Sequence, residues 1–344
     1  MTYFVGLDVA LKTTAVCVVD DHGNILKESS LITDANDINQ WLSQNGFSAS
    51  RIGIEASNLT IWLYKELRSL GHPVTVIETR HAKAAMAAQN MKTDRNDARA
   101  IAQMMRTGWY KPVHVKSDES QRIKTIITAR KMIVNQRIAL DNHIRGALKV
   151  FGIKISVTRG RGSFDKCVRD LIAGDGELEA AFEPLLEIRK TMAAKSDQLE
   201  RMLITAAKKD AVCTTLMSIP GVGAMTALLY KSVIDDPARF RRSRDVGAHL
   251  GITPKKYASG ETDYDAGITK CGDRLLRGHL YEAAAYILRP STKPCSLKSW
   301  GRNIAKRSSM KNARVAVARK LAVIMFRMWL DETQFEKNEP LEAA

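Results

Sequence analysis

The chain opens with short runs of β-branched and apolar residues and continues, from about residue 117, with long stretches in which apolar residues recur at helical spacing. Tyr3 to Val9 and Thr13 to Val19 are such runs. The turn Asp20-Asp21-His22-Gly23 leads from the second into Ile25-Leu26, which predicts three consecutive antiparallel strands. Asp34 then begins a helix over residues 35–45. Residues 51–55 form a short buried strand, residues 59–70 a helix, residues 73–77 a strand, and another helix starts near His81. From Ser117 to about Phe151, Ile123, Ile127, Ile144 and Leu148 interleave with Arg122, Lys124, Arg130 and Arg145, giving one apolar stripe and one basic face. Val157 to Phe164 is a glycine-broken basic loop. Leu171 to Lys208 reads as helical, with a run from Leu185 to Leu203 suited to an antiparallel or intermolecular coiled coil.

Three strands followed by alternating helix and strand is the order of an RNase H-like α/β domain. In that order Asp8 lies on the first strand, and Glu55 ends the fourth, beside it in the sheet. Asp94 and Asp97, within Lys92-Thr93-Asp94-Arg95-Asn96-Asp97-Ala98, fall three apart on one face of a helical segment. Four carboxylates aimed at one pocket suit a hard divalent cation, Mg²⁺ or Mn²⁺, which takes oxygen ligands and reaches phosphates through them. Each acid alone has a plainer role: Asp94 as a helix N-cap, Asp97 in a first turn favoured by the helix dipole, Asp8 and Glu55 as polar strand ends. Their joint occurrence favours metal binding. An actin-like ATPase also begins with a Gly-x-Asp strand, but no glycine-rich phosphate loop follows a later strand here.

Charge changes the picture more than composition does. At 344 residues with 45% hydrophobic and 26% charged positions, the chain suits two or three globular domains. Its net charge of +16 is uneven: residues 1–108 hold 11 Lys+Arg and 11 Asp+Glu, whereas residues 109–344 hold 42 and 26. A neutral catalytic candidate is thus followed by a cationic remainder, the electrostatic footprint of a polyanion binder; nucleic acid is favoured over an acidic protein. No apolar run is long enough to span a membrane, and Met1-Thr2-Tyr3-Phe4 does not open a signal peptide, so the cytoplasm is expected. Cys17, Cys167, Cys213, Cys271 and Cys295 are scattered with no CxxC pair, so neither a disulfide framework nor a zinc site is indicated.

Two motifs mark the C-terminal part. In Ile219-Pro220-Gly221-Val222-Gly223-Ala224 an apolar helix meets a second one through a glycine turn, as a helix-hairpin-helix requires; Gly221 and Gly223 would expose backbone N–H groups to a DNA phosphate. Lys231, Arg239, Arg241, Arg242 and Arg244 follow. The plain alternative is an αα-hairpin with glycine corners. Further on come Gly251-Ile252-Thr253-Pro254, Tyr257-Ala258-Ser259-Gly260 and Gly267-Ile268-Thr269-Lys270-Cys271-Gly272-Asp273-Arg274-Leu275-Leu276-Arg277. Lys255, Lys256, Lys270, Arg274 and Arg277 are candidates for holding a DNA backbone. Read from its neighbours alone, Ser259 is a turn serine, and Tyr257 is a competing nucleophile or a base-stacking residue. His249 and His279 suit core or surface roles.

Taken with the four acids, these motifs resemble the bridge-RNA-guided insertion-sequence transposases, the DEDD or Piv-like family of insertion-sequence-110 type, over nearly the full chain. The matching features also include an alanine-rich helix from Asn312 to Met328. The resemblance implies a RuvC-like N-terminal domain in which Asp8, Glu55, Asp94 and Asp97 hold Mg²⁺, and a nucleophile at Ser259 that forms a phosphoserine intermediate with DNA. It also implies a bacterial, nucleoid-associated oligomer, dimer or tetramer, on donor and target double-stranded DNA and a noncoding bridge RNA. In that assembly the carboxylates of one subunit meet the serine of another. The domains expected are 1–156, catalytic with the basic helix; 157–208, a helical linker or coiled coil; 209–335, a mainly α transposase domain with the helix-hairpin-helix; and 336–344, an acidic tail. A metal-dependent structure-selective nuclease and a non-catalytic nucleic-acid scaffold are the competing functions.

Overall fold

In the computed structural model the described residues are 1–80, 82, 93–155, 163–260 and 262–336. The chain divides into two compact units, Met1–Val115 and Lys116–Ala344.

The first unit is built on a five-stranded sheet of β1 (Tyr3–Val9), β2 (Thr13–Val19), β3 (Ile25–Ile32), β4 (Ala49–Glu55) and β5 (Val74–Ile77), in the order β3-β2-β1-β4-β5. β1, β2 and β3 pair antiparallel, while β4 runs parallel to β1 and β5 parallel to β4. This is the RNase H-like order expected from the sequence. The period of two along β1 splits its residues between two cores. Val5 and Leu7 join Ile52, Ile54, Ile38, Leu42, Leu63 and Leu67 beneath α1 (Ala35–Gln44) and α2 (Thr60–Ser69). Phe4 instead joins Cys17, Val19, Ile101, Ala102 and Met105 beneath α3 (Asp94–Thr107). Asp34 caps α1 by accepting from the backbone N–H groups of Asn36 and Asp37, as its position before the helix predicts. The helix expected from about His81 falls mostly on residues outside those described.

Among its described residues the second unit is helical apart from one β-ribbon. The helix α4 (Asp118–Leu148) carries the predicted basic face and lies in the second unit, where Ile127 packs into the C-terminal core with Leu203, Leu216 and Leu229. The stretch read as helical from Leu171 to Lys208 is largely α6 (Gly176–Lys209); α5 (Ser163–Ile172) precedes it, and the two are separated at Gly174, whose φ of 90° a β-carbon would strain. The coiled-coil run finds its partner inside the chain. Arg130 bonds Glu200 at 2.8 Å and Arg189 bonds Asp141 at 2.6 Å, so α4 and α6 lie antiparallel. A small separate core closes the far end of this pair, with Ile144, Leu148, Phe164, Val168, Phe182 and Leu186. The remaining helices, α7 (Ala211–Leu216), α8 (Ala224–Ile234), α9 (Ser243–His249), α10 (Arg274–Ile287), α11 (Ser296–Arg307) and α12 (Met310–Leu330), surround the largest core; α12 is the alanine-rich helix. Among the described residues no helix is long and apolar enough to cross a membrane.

Candidate catalytic acids and serine ribbon

Two glycines decide where the acids sit. A β-carbon on Gly6 would lie 2.0 Å from the Ala98 carbonyl oxygen and 2.4 Å from the Ala102 nitrogen, so α3 rests directly on the β1 backbone. Gly53 on β4 likewise faces Ile101 and Met105. Arg51, at the start of β4, donates to the Met105 carbonyl at 3.2 Å near the end of α3. The helix therefore runs opposite to β1 and β4, and its first turn lies at the ends of those strands. Asp8 is two residues beyond Gly6 and Glu55 two beyond Gly53, so both fall on the strand face that α3 covers. Leu7 pairs with Ile54, which makes Asp8 and Glu55 neighbours across the parallel pair. Asp94 and Asp97 stand in the first turn of α3 on the stripe that continues through Ala98, Ile101, Ala102 and Met105.

The strand end and the helix start are both held. Thr60 is buried and donates to the Glu55 carbonyl at 2.7 Å. Thr93 caps α3 by accepting from the Asn96 N–H at 3.2 Å, the role the plainer reading gave to Asp94. Glu28 on β3 pins the acid-bearing turn from the side, bonding Arg95 and Arg99, each with a contact at 2.5 Å. The Arg99 hydrogen bond is the main cause that lowers the Glu28 carboxyl to about 2, burial opposing it and Arg95 adding to it. Sequence reading gave Glu28 no role. Its partners lie 67 and 71 residues away, with no signal at either end. The donor set is all carboxylate oxygen, which fits a hard cation in chemistry. In geometry the four acids share one end and one face of the sheet; among the described residues no three or more Asp, Glu, His or Cys side chains are close enough to hold an ion.

Ser259 and the predicted DNA-binding residues lie in the second unit. Ser259 ends β6 (Pro254–Ser259), which pairs antiparallel with β7 (Thr262–Ile268); Ser259 and Thr262 are the last paired residues at the tip. Every residue of β6 is exposed. The base of this ribbon explains the glycine motifs. A β-carbon on Gly251 would lie 2.4 Å from the Cys271 nitrogen, and one on Gly272 would lie 2.2 Å from the His249 carbonyl oxygen. Backbone meets backbone there, closed by Lys270 N–H to Gly251 C=O at 3.0 Å and Thr269 N–H to Thr253 C=O at 2.9 Å. Asp273 caps α10 through Leu276 N–H at 2.9 Å and pairs with Lys124 at 2.6 Å. Burial is the largest single influence and works against its carboxylate, but the Lys124 hydrogen bond, the Leu276 N–H and the charges of Lys124 and Lys116 together hold the group below its ordinary range.

The basic candidates separate by what they touch. Arg241, Arg242, Lys255, Lys270 and Arg274 are exposed, and Lys256 pairs with Asp263 at 3.2 Å. Arg277 is spent inside the fold, donating to the carbonyls of Gly272 at 2.6 Å and Leu250 at 3.2 Å. Lys231 binds Asp210 and Glu119, and Arg239 donates to the Ile234 carbonyl at 3.0 Å and covers the Phe240 ring. The histidines take packing roles. His249 meets Arg239 and Phe240; His279 lies 3.3 Å from the Thr226 hydroxyl, its ring held below the usual pKa by burial. Gly221 has φ 86° and rests on the Ala283 carbonyl and Tyr286, so the turn between α7 and α8 requires it. Gly223 is the exposed N-cap of α8 with no side-chain cap.

The chain is similar to known transposases. A family described as a transposase with the DEDD signature of IS110 matches residues 5–153, and one described as "Transposase IS116/IS110/IS902 family" matches residues 213–298. The "Transposase for insertion sequence element IS1111A" of Coxiella burnetii is 29% identical over 93% of this chain and 88% of its own length. A "Probable family 20 transposase" of Pseudomonas aeruginosa is 28% identical over 96% and 97%. Thermus thermophilus RuvC, solved with a Holliday junction substrate, aligns with 33% of this chain and 100% of its own at 16% identity and a TM-score of 0.26, below the level at which a superposition adds to the strand order. With one family match spanning the residues that include the four acids and the other spanning those that include the serine ribbon, the chain belongs to the IS110/IS1111 family of insertion-sequence transposases.

Proposed function

We propose that this transposase cuts and rejoins donor and target DNA through a serine–phosphate linkage, with Asp8, Glu55, Asp94 and Asp97 assisting and a noncoding bridge RNA choosing the sites by pairing. What supports the reading is that Asp8 and Glu55 stand on neighbouring strands of an RNase H-like sheet, on the face covered by the helix whose first turn carries Asp94 and Asp97, in a chain whose other unit displays a serine at the tip of an exposed ribbon. The Ser259 Oγ attacks a phosphodiester. The Oγ–P bond forms as a P–O bond to deoxyribose breaks; the hydroxyl proton is given up and the leaving oxygen takes one. Attack by the hydroxyl of another strand reverses the step, rejoins the DNA and frees the serine. The four carboxylates would hold Mg²⁺ or Mn²⁺, which when bound polarises phosphate oxygens as a Lewis acid. A serine hydroxyl needs such help, because it is a weak nucleophile at neutral pH. Gly221 and Gly223 at the α8 start, together with Arg241, Arg242, Lys255, Lys256, Lys270 and Arg274, hold the DNA or RNA backbone; Arg277 holds the ribbon's base. The protein acts as a dimer or tetramer.

The test is to incubate protein, Mg²⁺, guide RNA and end-labelled donor DNA and to resolve the products under denaturing conditions. A protein–DNA adduct that disappears in Ser259→Ala, with DNA binding retained, is expected. An adduct that persists in Ser259→Ala overturns the serine assignment. Strand cleavage without any adduct would instead mark a metal-dependent nuclease, and tight binding without strand breakage a scaffold.

A further inference from the structure

The serine ribbon carries a second feature, a pair of tyrosines in cross-strand register. Tyr257 on β6 is directly opposite Tyr264 on β7, and their rings stack with centroids 5.3 Å apart and 22° between planes. Tyr257 is 49% exposed and Tyr264 54%, as expected when each ring covers one face of the other and leaves its second face open. An aromatic cross-strand pair adds to hairpin stability, yet that role needs neither ring to remain half in water. Alternation along the strands puts Lys255, Tyr257 and Ser259 of β6 on one face with Thr262 and Tyr264 of β7. Lys256, Ala258 and Asp263 fall on the other face, where Lys256 and Asp263 pair. The tyrosine face thus carries a lysine charge and two hydroxyl residues, while the Asp263 carboxylate is kept off it. Two residues along a strand span about 7 Å, the reach from a phosphate to the base of an adjoining nucleotide.

We propose that the Tyr257–Tyr264 pair is a stacking platform for an unpaired nucleobase next to the phosphodiester presented to Ser259. A base entering on the open ring face extends the stack by one ring, and Lys255 meets the phosphate beside it. Stacking of this kind is indifferent to sequence, since every base has a π-face. That suits an enzyme whose sites are chosen by pairing with RNA. The proposal rests on reading the ribbon as the DNA-cutting element, and its test is an equilibrium measurement in which no bond is broken.

The full chain is titrated with two fluorescein-labelled single strands of equal length, one of oligothymidylate and one with abasic tetrahydrofuran in place of every nucleoside, and binding is read by anisotropy. The double variant Tyr257→Leu/Tyr264→Leu, which keeps an apolar cross-strand pair without a π-face, is expected to bind oligothymidylate on the order of ten- to a hundredfold more weakly. Its abasic affinity should stay unchanged. Tyr257→Phe/Tyr264→Phe should retain full affinity for both strands, and so should Ser259→Ala, which separates the platform from the nucleophile. Equal affinity of the leucine variant and the parent for oligothymidylate overturns the proposal. So does an equal loss on both strands in a leucine variant whose circular dichroism and melting match the parent, and so does loss in the phenylalanine variant, which would assign the hydroxyls rather than the rings.

Discussion

Glu28 shares its carboxylate between Arg95 and Arg99, and through them fixes the turn that carries Asp94 and Asp97. Its pKa in the folded chain is about 2 against an ordinary value of 4.5, so its contribution to stability is present above the unfolded value and is lost as pH falls from about 4.5 through about 2. Glu28→Gln should remove that acid limb and lower the unfolding free energy by about 2 kcal/mol, the size of a hydrogen bond to a charged group. Urea melts of both proteins at pH 7 and pH 3 check this, the gap between them being smaller at the lower pH. An unchanged gap would mean that the ion pair does not act in solution. At Ser259 the residue scale offers less from sequence. Its neighbours read as a turn, and only the family resemblance pointed to a nucleophile; the structure adds that the side chain stands at an exposed tip.

At the scale of elements, the contact of α3 with β1 and β4 sets the positions of the acids, and the two glycines beneath it should respond unequally. Gly6→Ala drives a β-carbon into the backbone of Ala98 and Ala102, so α3 must lift; a loss of more than about 3 kcal/mol and of any acid-dependent cleavage is expected. Gly53→Ala meets the Ile101 and Met105 side chains at 2.7 Å, and the flexible methionine can turn aside, so a loss of about 1–2 kcal/mol is expected. Thermal melts of the two variants give the comparison. In the α4–α6 pair, Arg189 is bonded to Asp141 and Asp165 at 2.6 and 2.7 Å and lies over the Phe164 ring. Arg189→Met strands two half-buried acids, and the far end should loosen by about 3 kcal/mol. Hydrogen exchange would show it as faster exchange across residues 140–189 with the C-terminal core unchanged.

Across the whole molecule the charge is divided as the chain is. The excess of 42 Lys+Arg over 26 Asp+Glu in residues 109–344 falls almost wholly in the unit that begins at Lys116, while residues 1–108 are balanced. DNA affinity should therefore fall steeply with salt. Arg241→Gln and Arg242→Gln, both at exposed positions, should each reduce the slope of log affinity against log salt by about one if each neutralises a phosphate. Anisotropy titrations at several KCl concentrations measure it. Arg277→Gln should leave the slope nearly unchanged and lower thermal stability instead, because that guanidinium holds the carbonyls of Leu250 and Gly272.

Local pattern was enough for the strands of the first sheet, their order, the helix cap at Asp34 and the long basic helix, because each depends on periodicity and short-range hydrogen bonds that the chain carries in a few consecutive residues. For the same reason strand order alone makes Asp8 and Glu55 neighbours, and spacing alone puts Asp94 and Asp97 in one helical turn. Contacts between distant residues decided the rest. Burial of Ile127 against Leu203 assigned the basic helix to the second unit, Arg130 and Arg189 turned a coiled-coil run into an internal antiparallel pair, and Glu28 found its arginines. Cross-strand register set two tyrosines beside Ser259. None of these has a local signature, because a side chain records what it needs to bury or neutralise and does not record which distant segment will supply it.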